Sequence, residues 1–231
     1  DPEKHKNRIL EQMKLDLRLN KKPEYIECFD NSNLHGTNPV AACVVFRNGK
    51  PSKNEYRLYN IKEVKGIDDF ASMKEVVFRR YKRLIDQREI LPELIIVDGG
   101  KGQLSSAMTA IKSLGIEKKV SLIGIAKRLE EIFFPGDPIP IYLDKRSETL
   151  KTIQQLRNEA HRFGINFHRK KRMKSGFDSY LDGLKGIGPK TKEQLLKEFK
   201  SVKRIKESSM EDFMGLFGEK KGKRIFNLID K

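Results

Sequence analysis

The run Leu94-Ile95-Ile96-Val97, closed by Asp98, constrains this chain more than any other stretch. Four consecutive branched apolar residues cannot alternate between core and water. Such a strand is buried on both faces, which means an interior strand of parallel type with helices packed above and below it. Val120 to Ala126 repeats the pattern, and Val40 to Phe46 is nearly continuous as well. Tyr25 to Asp30 alternates and is rich in strand formers, Asn48-Gly49 is a hairpin turn signal, and Asn54 to Ile61 predicts a third strand. Residues 31–39 read as a turn-rich loop. Asp68-Asp69 opens a helix that sets Phe70, Met73, Val76, Val77, Tyr81 and Leu84 on one stripe. Leu104, Met108, Ile111 and Leu114 mark another helix, stopped by Gly115. Phe133 to Tyr142 predicts a small Pro-rich hairpin, and Ser147 caps a long helix that should run to about Arg169. Three strands, then helix, strand, helix, strand, helix describe an α/β fold with a mixed sheet flanked by helices.

Residues 4–20 carry Ile9, Met13 and Leu17 at helical spacing before Pro23. With no Met at Asp1, residues 1–20 read as a helix or linker arriving from an upstream region, and the chain as a piece of something longer. Residues 21–174 form the α/β domain, Ser175-Gly176 opens a linker over 175–182, and residues 183–231 make a small all-α domain.

The charge is uneven. Lys and Arg number 48 against 32 Asp and Glu, a formal net charge of +16. From Lys145 to Gly176 there are ten basic residues and two acidic ones, so half of the net charge sits in one segment. A concentration of that kind points to a polyanion, nucleic acid first, over scattered solubilising charge. The four cations Arg169, Lys170, Lys171 and Arg172 are the densest part of it. Cys28 and Cys43 lie in apolar runs without metal-type spacing and read as buried thiols in a reducing, cytoplasmic setting. No apolar run reaches membrane-spanning length, no signal peptide opens the chain, and nothing suggests more than a monomer.

Asp30 and Asp98 each stand at the C-terminal end of an apolar strand, the edge where open α/β sheets place their ligand crevices. A loop-start aspartate making a local turn explains either one alone. The pair in this strand order points to a site for a divalent cation, Mg²⁺ or Mn²⁺, which takes hard oxygen ligands and activates water beside a phosphate. His161 and His168, seven residues apart on a basic helix, are both candidates to complete it or to handle a proton. Asp69 is a minor candidate for a supporting contact, since helix capping accounts for the Asp68-Asp69 pair. Lys101, in the Gly-rich turn after Asp98, and Lys127, after the strand at 120–126, are candidate phosphate contacts.

Gly186-Ile187-Gly188-Pro189-Lys190 is a second kind of signal. Two glycines allow a tight turn whose backbone N–H groups meet a phosphate, and Pro189-Lys190 begins a helix that adds its dipole and a charge. Met214-Gly215-Leu216-Phe217-Gly218-Glu219 is a degenerate second copy, with one more residue between the glycines and an acid in place of Pro-Lys. Gly186, Gly188, Lys190, Gly215 and Gly218 are therefore candidate DNA-backbone contacts.

Glu27-Cys28-Phe29-Asp30-Asn31-Ser32, Val97 to Leu104, Ala126-Lys127-Arg128 with Glu130-Glu131-Ile132-Phe133, and Arg157 to Phe163 together resemble the UvrC family, from about residue 20 to the end. The resemblance implies an RNase H-like endonuclease domain followed by tandem helix-hairpin-helix motifs. It implies an Asp-Asp-His set, Asp30, Asp98 and His161, that incises damaged double-stranded DNA on the 5′ side of a lesion. It selects His161 over His168. It also implies a UvrB–DNA complex as partner, through a region outside this chain. Two other readings fit the residues: an RNase H-like nuclease of junction-resolvase type, and a DNA-binding scaffold whose acidic pair is structural.

Overall fold

A computed structural model of the chain describes residues 1–32, 39–64, 66 and 68–229. The chain divides into two compact units, Asp1–Ile165 and Asn166–Lys231. In the first, among the described residues, seven strands form one sheet: β1 (Tyr25–Ser32), β2 (Val40–Arg47), β3 (Lys50–Pro51), β4 (Arg57–Asn60), β5 (Leu94–Asp98), β6 (Ser121–Ile125) and β7 (Ile132–Phe133). Their order is β3-β2-β1-β5-β6-β7, with β4 also on β2. The three apolar runs hold the middle of the sheet. β1 pairs antiparallel with β2, while β1–β5 and β5–β6 are parallel.

Helices cover both faces, as the unalternating strands require. Ile26, Cys28, Leu94, Ile96, Ile123 and Ile125 pack with Leu10 and Met13 of α1 (Pro2–Asp16) and with Ile153, Leu156 and Ala160 of α4 (Glu148–Asp182). Phe29, Cys43, Ile95 and Val97 pack with α2 (Asp69–Asp86) and α3 (Lys101–Ser113) on the other face. The chain thus has an RNase H-like mixed sheet flanked by helices, followed by a helical region.

Several boundaries differ from expectation. The helix over residues 2–16 is no linker: Leu10, Met13 and Leu17 are buried in the sheet's core, and Thr149 Oγ1 donates to Asp16 Oδ2 at 2.5 Å. The third strand is shorter than 54–61 because Lys53–Glu55 form a single 3₁₀ turn after Pro51. The loop expected at 31–39 falls largely on 33–38, outside the described residues. The segment 175–182, read as a linker on Ser175-Gly176, is helical throughout. Phe177 and Leu181 have no exposed surface and belong to the second unit's core, so tertiary burial outweighs the glycine signal.

The second unit adds α5 (Pro189–Phe199), α6 (Val202–Glu207), α7 (Met210–Phe217) and α8 (Glu219–Leu228) around a core of Phe177, Leu181, Leu195, Phe199, Ile205, Phe213 and Ile225. Among the described residues, no helix is long and apolar enough to cross a membrane.

Glu27 of β1 is a fully buried carboxylate. Arg80 pairs with it, Tyr25 Oη donates to Oε1 at 2.6 Å, and Tyr81 Oη donates to Oε2 at 2.7 Å. Removing one partner of a buried ion pair strands the other charge. Arg80→Ala should therefore destabilise the first unit by about 3–5 kcal/mol, read as a shifted midpoint in denaturant unfolding.

Candidate active site

β1 and β5 run parallel in the register Phe29↔Val97, so the next residues, Asp30 and Asp98, end adjacent strands side by side. Strand alternation turns both toward the face covered by α4. That helix is anchored at several points. Ser147 Oγ accepts from Leu150 N, Tyr56 Oη donates to Glu159 Oε1 at 3.0 Å, and Gly164 lies so close that an added Cβ would stand 3.1 Å from Ser32 Oγ. Between the last two anchors sits His161.

His161 Nδ1 is 3.0 Å from Asp30 Oδ2. Asp30 is buried, its side chain 3% exposed, whereas that of His161 is 49% exposed. An ionised carboxylate only accepts, so Nδ1 carries the proton in this pair and the imidazole keeps Nε2 for another partner. Asp98 is different. Both of its carboxylate oxygens are buried with no hydrogen-bond partner among the described residues. Burial, and secondarily the Asp30 charge, push its carboxyl up to about 6, against the opposing pull of Lys127, Arg157 and His161.

A cavity of about 270 Å³ opens beside these groups, lined by Asp98, Lys127, Arg157, Asn158 and His161. Of the residues singled out from sequence, the fold brings Asp30, Asp98, His161 and Lys127 together. It does not bring Asp69 or Lys101 into that lining. Asp69 follows the N-cap Asp68 of α2, and its backbone carbonyl accepts from Asn31 Nδ2 at 2.9 Å. Lys101 opens α3 with its ammonium 5.6 Å from the Phe133 ring centroid. His168 is buried and outside the lining. Arg157 and Asn158 carried no site assignment in the sequence reading. The available signal was spacing, since Arg157 is one helical turn before His161.

Among the described residues, no three His, Cys, Asp or Glu side chains meet the geometry of a ready-made cation site. His161 instead turns Nδ1 to Asp30. The donor set still suits a hard divalent cation: two adjacent carboxylates, one with both oxygens buried and unpartnered, beside an imidazole.

In the second unit, Gly186 has φ +92 and Gly188 is the N-cap of α5, with Pro189 and Lys190 opening the helix. The second copy folds differently. Gly215 lies inside α7, so only Gly218, at φ +81, makes the turn into α8. The extra residue between the glycines is absorbed as helix, and Gly215 is no part of a phosphate-facing turn. Arg169, Lys170, Lys171 and Arg172 are all exposed.

The UvrC RNAse H endonuclease domain matches residues 14–165, and the SAM-like Helix-hairpin-helix tandem matches residues 178–227. The chain belongs to the UvrC family. UvrABC system protein C of Christiangramia forsetii is 64% identical over 98% of this chain and 38% of its own length. That of Flavobacterium psychrophilum is 62% identical over 100% of this chain and 39% of its own. The chain thus spans under two-fifths of the length of these UvrC relatives. Human ENDOV is a solved structure that is 10% identical, with a TM-score of 0.38, covering 71% of this chain and 99% of its own.

The raised carboxyl of Asp98 gives a signed prediction. Its folded value, about 6, lies above the ordinary 3.8, so the cost of ionising it is absent below 3.8, grows between 3.8 and 6, and is complete above 6. Asp98→Asn should stabilise the metal-free protein by on the order of 2–3 kcal/mol at pH 8, with the gain gone near pH 3.5. Adding Mn²⁺ should raise the melting temperature of the unsubstituted protein and leave that of Asp98→Asn unchanged, as read by thermal unfolding at both pH values.

Proposed function

We propose that this chain is the 5′-incising part of a nucleotide-excision-repair nuclease: a metal-dependent endodeoxyribonuclease whose second unit grips the DNA backbone. The observation that carries the reading is Asp98, a buried carboxylate whose two oxygens have no hydrogen-bond partner among the described residues, beside Asp30 on the adjoining strand. A buried carboxylate without a hydrogen bond, beside a second carboxylate, is costly for a folded chain unless a cation completes it. Membership of the UvrC family supports the same reaction class.

Asp30 and Asp98 would hold the cation, Mg²⁺ or Mn²⁺, with His161 Nε2 as a further ligand or proton acceptor. When bound, the cation neutralises charge at the scissile phosphate and lowers the pKa of a water. His161, oriented by Asp30, faces the cavity where that water would lose its proton. Lys127 places a positive charge on the same wall. The water oxygen bonds to phosphorus, the P–O3′ bond breaks, and the 3′ oxygen takes up a proton, leaving a 3′-hydroxyl and a 5′-phosphate.

In the second unit, the Gly186–Lys190 turn at the start of α5 would meet phosphates through backbone N–H groups, and the exposed cations 169–172 would add sequence-independent attraction. Gly218 is a weaker member of that surface, and Lys101 is a weaker candidate phosphate contact of the first unit. The substrate would be damaged duplex DNA, with a UvrB–DNA complex as the partner that family membership implies. Cys28 and Cys43, buried as free thiols, suit a reducing compartment such as the cytoplasm.

The test is nicking of supercoiled plasmid with Mn²⁺ or Mg²⁺. The chain should nick, and Asp30→Ala, Asp98→Ala and His161→Ala should each lower the rate by at least about a hundredfold, with duplex affinity retained. An Asp98→Asn protein cutting near the unsubstituted rate would overturn the site. Duplex binding without cutting under any divalent ion would favour the scaffold reading, and faster cutting of four-way junctions than of damaged duplex would favour the resolvase reading.

Replacing Arg169, Lys170, Lys171 and Arg172 by Ala should weaken binding alike for all sequences. It should also reduce the slope of log affinity against log salt by up to about 3–4, at roughly 0.9 per phosphate contact. An unchanged slope in fluorescence-anisotropy titrations would remove this stretch from the DNA surface.

A further inference from the structure

Arg80 and Arg157 both reach into the first unit, and they are held differently. Arg80 is buried and fully engaged by Glu27. Arg157 is also largely covered, with its side chain 17% exposed, yet its ion-pair partner among the described residues is Glu130 Oε1, at 3.6 Å from Nη2. That is an ion pair without hydrogen-bond contact, and it leaves the fork of five donors unfilled. A half-buried guanidinium that is not clasped by a carboxylate is expensive unless something else completes it.

Arg157 lines the cavity together with Asp98, Lys127, Asn158 and His161, and its positive charge acts on the Asp98 carboxyl. It is four residues before His161 on α4, so both side chains stand on one face of the helix. Glu130 is itself fixed: Gln154 Nε2 donates to Oε1 at 2.6 Å, and Ala126 N donates to Glu131 O at 2.9 Å to close the loop. Leu129 and Glu130 both adopt left-handed backbone, with φ of 66° and 53°. Two consecutive non-glycine residues in that region store strain, which is tolerated where the surroundings over-determine a useful geometry. The result is a loop whose Glu130 steadies Arg157 from one side, with Arg157 also in the lining of the cavity.

We propose that Arg157 is a catalytic residue of the incision reaction. Its guanidinium takes a non-bridging oxygen of the scissile phosphate and carries the negative charge that grows there as water adds and the 3′ oxygen departs. Planar paired donors match two phosphate oxygens in a way a lysine cannot. Asp98 lines the cavity, with Asp30 at the end of the adjoining strand, so a fixed positive group on α4 would supply the charge that a second cation would otherwise bring. The proposal rests on the nuclease reading above and adds to it the group that stabilises the transition state.

The experiment is single-turnover plasmid nicking at saturating protein with Mn²⁺, beside duplex affinity and melting temperature, for Arg157→Ala, Arg157→Lys, Glu130→Gln and Asp98→Ala. Arg157→Ala should be slower by about 10²–10³-fold, the loss found when one transition-state donor is removed, with affinity changed less than about threefold. Arg157→Lys should fall between, and added guanidinium should restore part of the Arg157→Ala rate without touching Asp98→Ala. Glu130→Gln should lose no more than about tenfold, because the proposed contact belongs to Arg157. Equal loss in Arg157→Ala and Glu130→Gln with no guanidinium rescue would make Arg157 a tether for the 126–131 loop and overturn the proposal. So would a rate unchanged at saturation with weakened affinity. An unsubstituted chain that fails to nick, or an Asp98→Ala chain that nicks normally, would bring down the nuclease reading and this role with it, an outcome distinct from the first two.

Discussion

Parallel pairing of β1 with β5 is the constraint on which the first unit depends. A parallel pair needs a crossover and a helix-covered face on either side. The chain meets that demand with α2 in the crossover and with α1 and α4 opposite. The same pairing ends two strands at one level, so Asp30 and Asp98 are neighbours by backbone register before any side-chain interaction is considered. The fold therefore holds two acids together on rigid elements, where a loop-borne pair could relax apart.

Strand alternation sorts the acids of β1 into opposite roles. Glu27 points to the α2 side and is completely paired by Arg80, Tyr25 and Tyr81. Asp30, three residues on, points to the α4 side and binds His161, while Asp98 on the next strand faces the same side with no hydrogen bond among the described residues. One sheet thus carries a closed polar network on one face and an open one on the other. A closed network adds specificity to the core. An open one adds a site whose electrostatics are unfinished without a ligand.

The second unit solves a different problem with little material. Its core is built from one or two apolar residues per short helix, with Phe199, Phe213 and Phe226 in ring contact. Gly222 lets α8 approach α7 so closely that a Cβ there would meet Met214 backbone at 2.6 Å. Its two hairpins are not equivalent. The first keeps the glycine turn and the Pro-Lys helix start, and the second converts part of its turn into helix and opens on Glu219, which repels a phosphate where the first attracts one. The proposed grip on DNA is accordingly one-sided.

Much of the fold was written locally. Unbroken apolar runs determined which strands would be interior, and the strand-end positions of Asp30 and Asp98 followed from those runs. Glycine and proline spacing determined the first hairpin turn, because only a few backbone conformations suit Gly186-Ile187-Gly188-Pro189. The tertiary structure decided what depends on long-range contact. It chose His161 for Asp30 by laying α4 on the sheet at Gly164, a choice that the residues alone left open between two histidines. It brought Arg157 and Lys127 to one cavity from elements thirty residues apart in sequence and left Lys101 and Asp69 outside it. It extended α4 through a stretch punctuated like a linker, because Phe177 and Leu181 are buried in the second unit's core, a membership that no local signal at Ser175-Gly176 announces. Periodicity and turn chemistry act over a few residues and can be read along the chain, whereas burial, charge pairing and orphaned polar atoms exist only once distant segments meet.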